Sequence, residues 1–172
     1  ARRAIPSARL VMAKHGIGTG FFGAASLDAI RDKIAPGDTL EFGPGAHQVG
    51  DVTLHSVSLT AATPGSTTLR GLVKFRGTAA ARGLSFDGRV NVLSKARLVM
   101  SDCSLIGSAD NLLVTREYGV VELERCSLSG AGSKNPALYA ETGGSITLRS
   151  CRIHAIAGDV AEIVDGGVLE LS

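Results

Sequence analysis

Apolar and polar residues alternate along most of this chain, and between residues 98 and 153 the alternation repeats as one phrase. It reads Leu98-Val-Met100-Ser-Asp-Cys103-Ser-Leu105, then Val121-Glu-Leu123-Glu-Arg-Cys126-Ser-Leu128, then Ile146-Thr-Leu148-Arg-Ser-Cys151-Arg-Ile153. Period-two spacing puts the apolar members on one face of a short strand. The alternation breaks between the third residue before each cysteine and the cysteine itself. A bend there turns the chain while the cysteine stays inward. Upstream, Ala79, Ala81, Leu84 and Phe86 fit the same slots, and Val52, Leu54, Val57 and Leu59 precede them; downstream, Leu169 and Leu171 begin the phrase again. A second column accompanies the first: Val90/Val92, Leu112/Val114, Leu138/Ala140 and Ala161/Ile163.

The cysteines are 23 and 25 residues apart. A unit of that length, made of short strands and Gly/Ser turns, cannot bury its apolar face alone and must stack on copies of itself. The pattern therefore predicts an all-β chain. It is a right-handed parallel β-helix of about six coils, the hand that parallel crossovers favour. The cysteines are expected to form one interior file with Val57 and Leu84. A leucine-rich-repeat horseshoe shares this period, but its Leu-x-x-Leu-x-Leu-x-x-Asn signature is absent. Three segments are expected: a basic arm and Gly-rich lead-in (1–24), a capping helix and turn (25–37), and the β-helix proper (38–172) with an incomplete last coil.

Within the lead-in, Leu10-Val11-Met12 suggests a first strand. Gly18-Thr-Gly20-Phe-Phe-Gly23 spells the turn that holds a dinucleotide pyrophosphate at a helix start, with Glu41 about 20 residues on. No alternating strands and helices follow to complete a doubly wound sheet. Residues 26–34 read as one amphipathic helix, capped by Ser26 with Asp28 at its positive end. Leu27, Ile30 and Ile34 share its apolar face, and Pro36-Gly37 ends it. A helix laid across the open end of a solenoid would shield its core.

The run from Phe22 through Ser26-Leu27-Asp28, Pro36-Gly37-Asp38, Leu40, Phe42 and Pro44-Gly45 resembles the N-terminal cap of pectate-lyase-like right-handed β-helix proteins. In that superfamily a short helix leads to a Pro-Gly-Asp turn, a first strand and a Pro-Gly turn, often followed by Tyr; His47 stands near that place here. The resemblance covers nearly the whole chain as architecture. It implies the fold and no single activity, since the superfamily includes lyases, hydrolases, esterases and non-catalytic binding modules.

Charge and composition narrow the function. With 172 residues the chain can hold one cored domain. Aromatics are few: five Phe, two Tyr and no Trp, which leaves only Tyr118 and Tyr139 as candidate sugar platforms. No apolar run approaches the ~18 residues of a membrane span, and no signal peptide is visible. A chain opening on Ala1 is expected to be a piece of a longer, bacterial-looking protein. Three cysteines at one repeat slot read as core filler, not as a disulfide framework or zinc site. Free thiols point to the cytoplasm. Residues 1–97 carry 13 Lys/Arg and 6 Asp/Glu (+7), residues 98–172 carry 5 and 10 (−5), so the rod is polar from end to end.

Arg70, Lys74, Arg76, Arg82, Arg89 and Arg97, with Lys95 among them, form the candidate interaction surface, open to an acidic polymer or protein. Phe75 alternates with Lys74 and Arg76 and Phe86 fits an inward slot, so no outward aromatic accompanies the cluster, which argues against nucleic acid. In the regular coils Asp102 is expected a rung below Arg125 and Glu124 a rung below Arg149, with Ser85, Ser104 and Ser127 in an outward file. Polygalacturonase, pectin methylesterase and pectate lyase site patterns are absent, as are Gly-x-Ser-x-Gly, His-Glu-x-x-His and a Walker loop. His15, His47, His55 and His154 are scattered and read as structural or surface groups. The sequence assigns no catalytic residue, cofactor or metal. It points to a non-catalytic scaffold for protein interaction or assembly, with a partner or second copy on the open last coil. The alternative is a carbohydrate-active β-helix, then extracellular, acting on acidic polysaccharide.

Overall fold

The computed structural model describes residues 12–18, 26–107, 111–132 and 134–172. The chain winds into a parallel β-solenoid of about seven turns, one more than the sequence period suggests. One face is an eight-stranded sheet of β1 (Lys14–Ile17), β2 (Thr39–Phe42), β4 (Ser58–Ala61), β6 (Thr78–Arg82), β8 (Arg97–Ser101), β11 (Val120–Glu124), β14 (Ser145–Arg149) and β17 (Val168–Leu171), stacked in that order. The second sheet begins with long strands: β3 (Gly45–His55), β5 (Thr67–Arg76) and β7 (Ser85–Val92). In later coils each is replaced by two short ones. These are β9 (Ser104–Ile106) with β10 (Leu113–Thr115), β12 (Ser127–Ser129) with β13 (Leu138–Ala140), and β15 (Arg152–His154) with β16 (Ala161–Ile163). Strand β7 is the junction, pairing with β5 on one side and with both β9 and β10 on the other.

The broken alternation in the repeated phrase has a definite backbone cause. One residue per coil, Asp102, Arg125 and Ser150, sits in the left-handed region at φ 51–54°, and Gly83 holds the same corner at 69°. Each such residue turns the chain through the corner, so the next side chain points inward again. The ladder continues through the bend, with Asp102 N–H donating to Glu124 O and Arg125 N–H to Arg149 O at 3.0 and 2.9 Å.

Registers match the expected core for the repeated phrase. Leu98, Val121, Ile146 and Leu169 form one file and Met100, Leu123, Leu148 and Leu171 the next. Burial of a Leu-sized side chain contributes about 1.5–3 kcal/mol, and Leu98, Val121 and Ile146 are fully buried. Three placements differ. Val57 belongs to the Leu98 file, because Ser58 pairs with Ala80 and Leu59 with Ala81. The cysteine file instead runs Thr67, Leu84, Cys103, Cys126, Cys151, since Thr68 pairs with Ser85. Val52 and Leu54 join the second column beside Val73/Phe75 and Val90/Val92. In that column Leu113 and Thr115, not Leu112 and Val114, continue the file. A one-residue slip moves every side chain to the opposite face. It places the Thr115 hydroxyl in the interior with no hydrogen-bond partner.

Midway along the second sheet the backbone bends at a file of glycines. A Cβ on Gly71 would lie 2.2 Å from Gly50 O, and one on Gly88 would lie 2.2 Å from Gly71 O. Their φ values are 131° and 145°, which L side chains rarely adopt.

Before the coils, the expected α-helix is a six-residue 3₁₀ turn, Asp28–Lys33. Leu27 occupies its N-cap position, no side chain caps it, and Ser26 is exposed. Leu27 and Ile30 are buried three residues apart, the spacing at which 3₁₀ side chains eclipse. The turn packs beside β3, where Arg31 Nη2 donates to Asp51 O at 3.5 Å. The first strand lies at Lys14–Ile17; Leu10, Val11 and the basic arm with Arg2, Arg3 and Arg9 lie outside the described residues.

Candidate functional site

The Pro36-Gly37-Asp38 turn positions the most tightly held carboxylate of the molecule. Asp38 is buried. Its Oδ1 accepts the Ala13 N–H at 2.8 Å, and its Oδ2 accepts the Ala35 N–H at 2.9 Å and the His15 Nε2–H at 2.8 Å. These donors, first the backbone N–H groups and then His15, lower its pKa to about 2. The arrangement clips β1 to β2 and is structural. His47 is structural as well, donating from Nε2 to Gly43 O at 2.9 Å with its ring edge on Phe42.

Of the dinucleotide-like glycines, Gly20 and Gly23 lie outside the described residues. Gly18 packs against the His47 ring. Although β1 precedes the motif, the next described element is the short 3₁₀ turn. The helix N-terminus that would face a pyrophosphate is missing among the described residues.

The basic residues are spread around the tube. Arg82 and Arg97 stand at opposite ends of strands in the first sheet, while Arg70, Lys74, Arg76 and Arg89 belong to the second. Four of them meet an acid among the described residues. Arg70 Nε lies 3.1 Å from Asp87, Lys74 Nζ 2.8 Å from Asp51, Arg82 Nε 3.8 Å from Asp102, and Arg97 pairs with Glu122. Half-exposed pairs such as Arg70–Asp87 and Lys74–Asp51 contribute about 0.2–1 kcal/mol each. Arg76 lines a groove at the turns that follow β5, β7, β10 and β13, and Arg89 one beside β10, β13 and β16. Arg76 borders the first, of ≈ 590 Å³, with Leu93, Ser94, Arg116, Glu117 and Glu141. Arg89 borders the second, of ≈ 260 Å³, with Asn111, Arg116, Tyr139 and Glu162. Arg116 stands between them, held by Glu141. Nothing local in the sequence marks these grooves, because residues from three or four coils build each wall.

The outward acids of the regular coils are tied to bases. Asp102 meets Arg125 at 2.7 Å, and that hydrogen bond holds its carboxyl below the usual range. Asp102 also raises the Arg125 pKa. The Glu124–Arg149 register is as expected. The bonding differs: Arg149 Nη1 reaches Glu122 at 3.3 Å, and Glu124 pairs with Arg125. The serine file Ser85–Ser104–Ser127 is present, and His154 Nε2 lies 3.1 Å from Ser127 Oγ at its end. Among the described residues no three His, Cys, Asp or Glu side chains converge as a metal site. Nor is any helix among them long and apolar enough to cross a membrane.

The last rung presents a different surface. Strands β15, β16 and β17 end both sheets with unpaired edges among the described strands. Leu171 is 68 % exposed, and Val168 and Val160 are exposed beside it. A cavity of ≈ 300 Å³ opens there between Leu148, Cys151, Ile153, Leu171 and Ser172. The same coil carries Asp159, Glu162, Asp165 and Glu170, all exposed. This surface can extend the stack by strand addition, and its exposed apolar core is a liability unless covered.

No protein-family model matches the chain, and no curated protein matches it.

Proposed function

We propose that this chain is a non-catalytic, pectate-lyase-like β-helix scaffold that assembles end to end, its open last rung receiving a second copy. The observation that carries this reading is the last rung, where Leu171 is exposed and Ile153 and Leu169 are only half-buried beside free strand edges, in a coil rich in acids. Charge complementarity names the occupant: the half of the chain bearing the open rung carries −5, and the other half +7. A head-to-tail contact is heterologous and propagates along an axis. Asp102, Glu122, Glu124 and Glu141 are each paired with an Arg, which supports a scaffold over an enzyme.

Sedimentation velocity over a concentration series tests this. The expected result is a concentration-dependent rise in mass at low salt that Leu171→Asp abolishes and that high salt weakens. A chain that stays monomeric at every concentration and salt overturns the reading.

A second reading rests on the groove of ≈ 260 Å³, whose Arg89, Arg116 and Tyr139 offer positive charge and a ring to an acidic saccharide. Titration with acidic oligosaccharides, followed by calorimetry and by absorbance of a new double bond, separates binding and lyase activity from the scaffold proposal.

A further inference from the structure

The interior corner between the two sheets carries three free thiols, Cys103 and Cys126 buried and Cys151 half-buried. They occupy successive rungs, because Ser104 pairs with Ser127 and Ser127 with Arg152. The backbone is continuous between them: Ser127 N–H donates to Cys103 O and Arg152 N–H to Cys126 O, both at 2.9 Å. Neighbouring rungs lie about 4.8 Å apart, inside the roughly 4.4–6.8 Å Cα span of a disulfide. Cys103 and Cys151 are two rungs apart, about 9.6 Å, beyond the ~7 Å limit. Any bridge within this file must therefore include Cys126.

Each sulfur sits between its own rung and the preceding one. Cys126 Sγ lies 3.4 Å from Glu124 O and 3.7 Å from Met100 O, and Cys151 Sγ 3.4 Å from Arg149 O and 3.5 Å from Leu123 O. Met100 and Leu123 belong to the preceding rungs, those of Cys103 and Cys126. The file also has an entrance, since Cys151 borders the cavity of the open rung with Leu171 and Ser172.

We propose that Cys126 and Cys151 form a reversible intramolecular disulfide when a small disulfide oxidant enters at the open rung. The Cys151 thiolate attacks one sulfur of oxidised glutathione. That S–S bond breaks, one glutathione leaves as thiolate and takes up a proton, and a mixed disulfide remains on Cys151. The Cys126 thiolate then attacks Cys151 Sγ and expels the second glutathione, which is protonated in turn. Two protein thiols are oxidised and one glutathione disulfide becomes two thiols. Cys103 can next attack Cys126 Sγ and release Cys151 as thiolate, moving the bond one rung inward with no net redox change. A hydrogen bond with Cys126 lowers the Cys103 pKa and raises that of Cys126, which favours Cys103 as this second nucleophile. Burial pushes the Cys151 thiol up and slows the entry step, and the raised Cys126 thiol slows the resolving step in turn. The inference is independent of end-to-end assembly, which would shield Cys151, so its test belongs at dilute protein concentration and high salt.

The experiment is incubation of the folded protein with oxidised glutathione, acid quenching, alkylation of remaining thiols and peptide mapping. The expected product has lost two of its three free thiols, with cross-linked peptides joining Cys126 to Cys151 or Cys103. Cys126→Ala is expected to stop at a glutathione adduct on Cys151, whereas Cys103→Ala keeps the Cys126–Cys151 bridge. Wild-type protein that stops at the Cys151 adduct overturns the proposal, whatever the variants do. So does a Cys103–Cys151 bridge in Cys126→Ala.

Discussion

Replacing Gly88 with Ala tests how closely the rungs are packed at the bend. The added methyl meets two independent penalties. Its Cβ would sit 2.2 Å from Gly71 O and 3.0 Å from Gly71 C, whereas relaxed C···O contacts fall near 3.3–3.6 Å. One rung must therefore shift by about 1 Å, an overpacking strain of about 1–3 kcal/mol. The φ of 145° adds at least the ~1–2 kcal/mol that a left-handed conformation costs an L residue. Reduced freedom of the unfolded chain returns about 0.4–1 kcal/mol. The net expectation is a destabilisation of about 3 kcal/mol. With a guanidinium slope of about 4 kcal/mol/M, the unfolding midpoint should fall by ~0.7 M. Gly65→Ala is the internal control, because Gly65 has φ 78° but nothing within 4 Å of its Cβ position. Its midpoint should move by less than about 0.3 M, since only the backbone term applies. Equal shifts in the two variants would refute the argument that contact between rungs, and not φ alone, demands glycine at the bend.

Thr115→Val should raise stability by about 1 kcal/mol in chemical denaturation, because it removes a buried hydroxyl with no partner while keeping the shape. Leu128→Ala should cost about 2–5 kcal/mol by the same assay, the range for truncating a fully buried leucine. Asp38 has a folded pKa of about 2 against an ordinary 3.8, so its contribution is complete above pH 4 and is lost as pH falls toward 2. Wild-type Tm should drop across that window, and Asp38→Asn should start lower and show a shallower drop; parallel curves would contradict the clip. The Asp102–Arg125 pair is half-exposed, so a double-mutant cycle should give a coupling that shrinks in high salt.

The repeated phrase made the solenoid legible because its coils from residue 98 onward keep parity from corner to corner. Even the left-handed residue could be anticipated as a break in alternation before each cysteine. Parity fails where a connection has its own length. The stretch from Ala62 to Ser66 displaced Val57 from the cysteine file, and residues 107–112 shifted the inward pair from Leu112/Val114 to Leu113/Thr115. In both places hydrophobicity favoured the wrong register, since a Thr points inward while Val57 serves another file and Val114 is buried outside the core cluster, against a groove. Helix periodicity over 26–34 reported a buried face correctly, but six residues gave a 3₁₀ turn. Long arginine side chains choose partners diagonally, so Arg149 took Glu122 over its rung neighbour Glu124. Asp38 sits in the Pro-Gly-Asp turn of the cap-like run, yet its donors Ala13 and His15 come from another strand. Only the folded rungs reveal what it holds.

The division of the second sheet has a consequence for how the rod can vary. Where β3, β5 and β7 run without a connection, the ladder takes in a single extra residue, Val49, as a bulge between Gln48 and Gly50, and a longer insertion would break the pairing. Past β7, each coil crosses from one short strand to the next by a connection at residues 107–112, 130–137 and 155–160. Segments of different length can be spliced there while the strands on either side keep their partners. Foreign peptides grafted between the paired short strands would repeat from rung to rung at a pitch of about 4.8 Å, as evenly ruled as marks on a gauge.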